Sequence, residues 1–339
     1  MDIEQPDQLT SYLRDAKRIG ADEALAFRVL EGGVSNKTVW IERATGEAWV
    51  IKQCLPKLRV AVDWFTSPER IHREALALYI LPRLTPPGTI PALIFEDREH
   101  YILAMEAVPQ PHENWKHMLL AGRLDMRHVD QFGRLLGTIH RLSGDGLEDI
   151  RRDAPDFFDR QFYETLRLEA YYLYTASQVP DAASFIEALV EETRATQQTL
   201  VHGDYSPKNV LIYKGRIILL DHEVMHVGEP AFDLGFSMTH LLSKAHHLPA
   251  MRADFAEAAR LYWRTYSETL GAVEWRGDLE ARAVKHTLAC LLARVAGRSP
   301  LEYMNAEERS RQRDVVTTLM QDAPRTVDNL VSAFTSALR

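Results

Sequence analysis

The chain has 339 residues, 46% hydrophobic and 26% charged, with a formal net charge of −8; that length exceeds the reach of one hydrophobic core and predicts two lobes. The acidic balance argues against nucleic acid as a partner; no apolar run approaches the roughly 18 residues of a membrane span, and the polar start MDIEQPDQLT argues against a secretory signal. Only Cys54 and Cys290 are present, far apart, which fits a reducing, cytoplasmic setting rather than a disulfide framework.

Residues 1–20 predict a lead-in helix. Short β-type segments follow near 25–32, 37–43 and 47–54, with ATGE between the last two as a hairpin turn. SPERIHREALALYILPRL then predicts a helix, with Ser67 as N-cap and Pro68 in its first turn. TIPALIFED and HYILAMEAV add two strands, completing a small, mostly β unit over 1–108. Past VPQPHENW, residues 109–339 carry amphipathic stretches near 126–142, 156–175, 181–197, 231–244, 250–270 and 277–296. Three strand-like runs, TLVH, NVLIY and RIILLD, interrupt them.

Those three runs frame LVHGDYSPKNVLIYKGRIILLDHE. TLVH delivers His202 and Asp204 to a strand end, and Pro207 restricts the loop that follows. NVLIY and RIILLD form a hairpin about Lys214-Gly215, so Asn209 and Asp221 end adjacent strands near Asp204. Three oxygen-bearing side chains therefore converge. Magnesium-dependent phosphoryl transfer needs such a set: Mg²⁺ is a hard ion satisfied by one or two carboxylates and phosphate oxygens, and a separate carboxylate must face the attacking hydroxyl. Asp204 suits the base, Asn209 and Asp221 the metal, and Glu223 is placed to assist. Asx turns and strand-end caps are the bland alternative for the same residues.

The same chemistry requires a lysine on the nucleotide phosphates and a glutamate to hold it. AWVIKQ supplies Lys52 on a strand and IHREALAL supplies Glu74 on the next helix. In LEGGVSNKTVWI, Gly32 and Gly33 would let backbone N–H groups approach phosphate, with Ser35 and Asn36 as further donors. Met105, Glu106 and Ala107, at the end of the small lobe, stand where a base could pair with the connecting backbone. Asp233, in PAFDLG, opens a helix; it suits either the helix dipole or hydrogen bonds to the Asp204 loop.

Together GGVSN, VIKQ, REA, HGDYSPKN, LLDHE and PAFDLG resemble the aminoglycoside phosphotransferase/choline kinase superfamily, over roughly Phe27 to Leu242. The resemblance implies an α+β, protein-kinase-like two-lobe fold, with a small β-rich N-terminal lobe and a larger helical one. It implies ATP and Mg²⁺ as cofactors, Asp204 as base, Asn209 and Asp221 as Mg²⁺ ligands, and Lys52 with Glu74 on the phosphates. VIKQCLPKLRV and the Asp-x-Glu of DHE are similar to methylthioribose kinases, whereas the asparagine of HGDYSPKN follows the aminoglycoside phosphotransferases.

Two weaker signals remain. The aromatics of DFFDRQFYETLRLEAYYLY suit a core more than a ligand platform. Arg294, in CLLARVAGRSP, resembles arginines that methylthioribose kinases use on their sugar, with surface salt bridging the competing reading. The expected function is transfer of the ATP γ-phosphate to a hydroxyl of a sugar or polyol; an aminoglycoside or amino alcohol is the alternative acceptor. A protein kinase would want more than the eleven residues between Asp221 and Asp233, and a nucleotide-binding pseudokinase would not need all five site residues. The expected partner is a small hydroxyl-bearing molecule, without nucleic acid or membrane; a homodimer is left open.

Overall fold

The computed structural model describes residues 1–30, 35–59 and 65–338. Five antiparallel strands form the smaller lobe: β1 (Ala26–Val29), β2 (Asn36–Glu42), β3 (Ala48–Cys54), β4 (Leu93–Asp97) and β5 (Ile102–Glu106), in spatial order β1-β2-β3-β5-β4. The β2–β3 turn closes through Arg43 N to Glu47 O at 2.8 Å, and Gly46 takes the positive φ of +83° that this short connection demands. Side chains alternate across β3. Trp49 and Ile51 pack on one face with Val39, Ile41, Leu9 and Leu13 of α1 (Pro6–Asp15); Val50 and Lys52 point to the other, into the cleft.

α2 (Arg70–Ile80) begins two residues later than expected with Ser67 as N-cap. Ser67 Oγ accepts from Glu69 N at 3.3 Å, capping the turn ahead of the helix rather than the helix itself. Its buried face, Ile71, Ala75 and Leu78, joins the main core.

The larger lobe is helical. α3 (Trp115–Leu120) and α4 (Met126–Asp145) lead in, with Asp125 capping α4 through Arg127 N. Residues 161–178 form one helical rod whose middle, Glu164–Leu173, is wound as a π-helix. Long helices at Pro230–His247, Arg252–Leu270 and Leu279–Ala296 complete the core, with Ala306–Gln321 and Val327–Ala337 outside them. The Pro230–His247 helix is buried from Pro230 through His246. Its Gly235 lets the Leu279–Ala296 helix approach closely, since a Cβ there would lie 2.4 Å from His286 Cβ.

Short strands hold the site between the lobes. β8 (Val210–Tyr213) and β9 (Arg216–Leu219) form the expected hairpin, with positive φ at both Lys214 and Gly215, as a tight two-residue turn requires. Two strands escaped the sequence reading: β6 (Glu113–Asn114) pairs with β8, and β10 (His226–Gly228) pairs with β7 (Thr199–Val201). Segments of two or three residues are too short to show periodicity. Among the described residues no helix is long and apolar enough to cross a membrane.

Candidate active site

β7 runs into His202-Gly203-Asp204, and the loop is held from below. Asp233 Oδ2 accepts from His202 N at 2.7 Å and its Oδ1 from Gly203 N at 2.9 Å. Of the two readings of Asp233, the loop-holding one describes the geometry. Gly203 has φ +75°, and a side chain there would press on Val224. His202 Nδ1 lies 3.2 Å from Asp204 N and its Nε2 3.2 Å from Leu220 O. That pattern puts the ring proton on Nε2, and burial lowers the pKa, keeping the ring neutral. Tyr205 anchors the far side, its hydroxyl on Phe132 O at 2.8 Å and its ring stacked on Phe132.

Asn209 Nδ2 donates to Asp204 O at 3.0 Å and to Asp204 Oδ2 at 2.9 Å. Leu220 N bonds to Asn209 O at 2.9 Å, so the strand leading to Asp221 is set against the asparagine. Asp221 itself has φ +67°, a left-handed backbone that aspartate tolerates better than most residues. Lys52 Nζ sits 2.7 Å from Glu74 Oε1 and 3.2 Å from Asp221 Oδ1. Burial alone would push the Asp221 carboxyl up, but the Lys52 and Lys208 cations hold it well below the usual range. Glu74 is fully buried, and burial raises its pKa against the pull of Lys52.

A cleft of about 380 Å³ brings Ser35, Asn36, Lys52, Met105, Glu106, Ala107, Asn209 and Asp221 to one wall. Glu74 stands behind Lys52, and Asp204 beside the cleft on Asn209. Gly33 lies outside the described residues. At the connecting segment, Glu106 N is bonded to Ala92 O and Ala107 N to Ala48 O, both at 2.9 Å. Among the described residues, Val108 is the first in the segment whose N–H has no backbone partner. Glu223 faces the same region, but its Oε2 is occupied by Arg70 Nε at 3.1 Å and Asn36 Nδ2 at 3.2 Å.

The donor set fits a hard divalent cation. Asp221 is ionised, and Asn209, with its nitrogen committed to Asp204, has its carboxamide oxygen left over. Among the described residues no three His, Cys, Asp or Glu side chains cluster as a metal cage. A nucleotide-borne Mg²⁺, which keeps phosphate and water oxygens in its shell, needs none.

Three cations escaped the sequence reading. Arg70, fully buried in α2, also donates to Ser67 O at 2.9 Å and Leu55 O at 3.0 Å. Arg167, on the π-helix, places Nη2 3.3 Å from Asp204 Oδ2. Lys208 lines the cleft from the Asp204 loop. Arginines in amphipathic helices read as surface charge, and the carboxylates these two meet, Glu223 and Asp204, are remote in sequence. Arg294 does not touch Asp204. It reaches Tyr171 OH at 3.1 Å, and the Tyr171 ring lies 5.5 Å from the Arg167 guanidinium.

Fold and site together define a two-lobed small-molecule phosphotransferase. The chain belongs to the phosphotransferase enzyme family, whose profile matches residues 26–275. It is 23% identical to a methylthioribose kinase of Pectobacterium carotovorum over 335 residues, covering 87% of this chain and 82% of that protein. It is likewise 23% identical to the methylthioribose kinase of Pectobacterium atrosepticum, of whose length it spans 62%. Its fold is similar to that of an amicoumacin kinase solved in complex with AMP-PNP, Ca²⁺ and Ami, with a TM-score of 0.60 and 12% identity, over 95% of this chain and 98% of that one.

Proposed function

We propose that the protein transfers the γ-phosphoryl group of Mg·ATP to a hydroxyl of a sugar or polyol. The observation that carries this reading is the shared bonding of Asp204 and Asn209, beside an ionised Asp221 gripped by Lys52. The nucleotide base enters between Val50, Leu211 and Leu220, where Val108 N–H is free to donate to it. Lys52, braced by Glu74, meets the phosphates. Asn209 and Asp221 hold Mg²⁺, which when bound neutralises charge on the phosphate oxygens.

Asp204 Oδ2 receives both Asn209 Nδ2 and Arg167 Nη2. That leaves Oδ1 for the acceptor hydroxyl. The acceptor oxygen–phosphorus bond forms as the bond to the β,γ-bridging oxygen breaks. ADP departs with that electron pair, and the hydroxyl proton passes to Asp204. The two donors hold the Asp204 carboxylate in one orientation, so that it is positioned on the hydroxyl as the phosphoryl group passes.

Arg167 and Arg294 both lie against the Tyr171 ring, and Arg167 reaches Asp204 itself. They oppose a polycationic aminoglycoside, despite the acidic net charge of the whole chain. An ADP-release screen over sugars, polyols, amino alcohols and aminoglycosides tests the reading. Sugar or polyol turnover supports it; aminoglycoside turnover at kcat/KM near about 10⁶ M⁻¹s⁻¹ with no sugar turnover reverses it.

A further inference from the structure

Beyond Asp204, the walls carry more positive charge than the residues around them neutralise. Tyr171 and Phe236 lie with ring centroids 5.9 Å apart, and Phe236 and His240 5.3 Å apart, forming an aromatic floor. Arg167 stands at one end of it, 5.9 Å from the Phe236 ring. Arg294 stands over Tyr171, and Lys244, one helical turn after His240, stands at the other end under Tyr303. Arg167 is balanced by Asp204, and Lys116 by Glu302. Lys208 lines the nucleotide cleft, where Asp204 and Asp221 act on it. Among the described residues, Arg294 and Lys244 have no carboxylate in ion-pair reach.

Both show the marks of an unmet demand. Arg294 Nη1 binds Tyr171 OH and Ser299, but its Nε is buried with no acceptor among the described residues. Lys244 is fully buried, and its ammonium meets only the His240 carbonyl at 3.1 Å and the Tyr303 ring face. A cation in the last turn of the Pro230–His247 helix gains a little from the helix dipole. Burying an unpaired ammonium costs much more. Burial, reinforced by the nearby Lys116 and Arg294 charges, lowers the Lys244 pKa to about 7. His240 is depressed in the same way, by burial and then by Arg294, Lys244, Lys116 and Lys208. The two carboxylates that bear on this region are already engaged, Glu302 by Lys116, and Glu308, beside Tyr303, by His247.

We infer that the acceptor carries an oxyanion, a carboxylate or a phosphate, besides the hydroxyl that is phosphorylated, and that Arg294 and Lys244 receive it. This rests on the kinase reading above and narrows its acceptor to a sugar acid, hydroxy acid or sugar phosphate. The anion supplies the counter-charge that the two side chains lack and takes the free Arg294 Nε–H. The same pair excludes cationic amines by repulsion.

Two measurements test it. Calorimetry with inorganic phosphate and with lactate, in the presence of Mg·AMP-PNP, should show binding that weakens tenfold or more in Arg294→Met and in Lys244→Met. The second variant removes a buried charge for an apolar chain of similar length and should fold at least as well as the parent. No binding of either anion, or binding unchanged in both variants, overturns the inference. The second measurement compares acceptors that differ by one group: ribose, ribonate and ribose 5-phosphate; glycerol, glycerate and glycerol 3-phosphate. The anionic members should exceed the neutral ones in kcat/KM by on the order of 10²-fold, and the variants should raise the acceptor KM more than the ATP KM. Which anion is preferred identifies the group. Equal or better turnover of the neutral members overturns the inference while leaving the kinase reading intact. Absence of metal-dependent nucleotide binding would instead remove the kinase reading itself.

Discussion

The carboxamide of Asn209 bridges two oxygens of Asp204, the backbone carbonyl at 3.0 Å and Oδ2 at 2.9 Å. One amide thus orients the proposed base with its nitrogen while leaving its oxygen for the metal. The two roles cannot be varied independently at this residue: Asn209→Ala should weaken Mg²⁺ and mis-set Asp204 together.

Asp204→Asn isolates the base. An asparagine oxygen can still accept from Asn209 and Arg167, so the loop should keep its shape. Turnover should fall by about 10²–10⁴, with Mg·nucleotide affinity close to the parent's. Single-turnover kinetics beside calorimetry checks this; a near-normal kcat would take the base role from Asp204.

Asp221→Asn keeps a residue that tolerates the left-handed backbone at this position but removes the charge that faces Lys52. Nucleotide binding should lose most of its dependence on Mg²⁺. A Mg²⁺ titration of fluorescent-nucleotide binding reads it directly, and an unchanged titration would exclude Asp221 as a ligand.

Arg70→Met leaves Glu223 and the carbonyls of Ser67 and Leu55 without their shared donor. Breaking a buried pair from one side costs about 3–5 kcal/mol. Urea denaturation should show a loss of that order, smaller in the double variant R70M/E223Q. A surface arginine would give less than 1 kcal/mol by the same assay.

Acid should destabilise the fold through its buried histidines. Burial lowers His226 and His286 to about 3 from 6.5. Their folded values lie below the unfolded one, so the unfolded chain takes up protons first as pH falls. Their stabilising contribution is complete above 6.5 and is lost progressively toward 3. Each contributes a slope of up to about 1.4 kcal/mol per pH unit within that window. Denaturation between pH 7 and 5 should show the decline, and His286→Gln should flatten it.

What was legible in the sequence is what local geometry determines. Lys52 could be assigned because it alternates with Ile51 on a short strand, and Asn209 and Asp221 because a two-residue turn leaves little choice of register. Asp233 was legible as a helix-opening acid with two competing roles, and only the tertiary contact with His202 N and Gly203 N, about 30 residues earlier, decides for the loop. Met105, Glu106 and Ala107 line the cleft. That the sheet consumes the Glu106 and Ala107 amides depends on pairing with Ala92 and Ala48, which no local pattern reveals. Arg167 and Arg70 belong to the same class. Their spacing says helix, and only tertiary contacts separate them from the solvated arginines nearby.

Arg70 and Glu74 lie one turn apart on α2, and each is tied to the Asp221–Glu223 turn, directly through Glu223 or by way of Lys52. The back of the cleft is therefore laced shut by two charged stitches from a single helix. A spreading motion there would strand buried charges on both sides. Trp40, Gln110 and His112 line the same cleft and take no part in either stitch. The cleft is like a purse with a sewn spine.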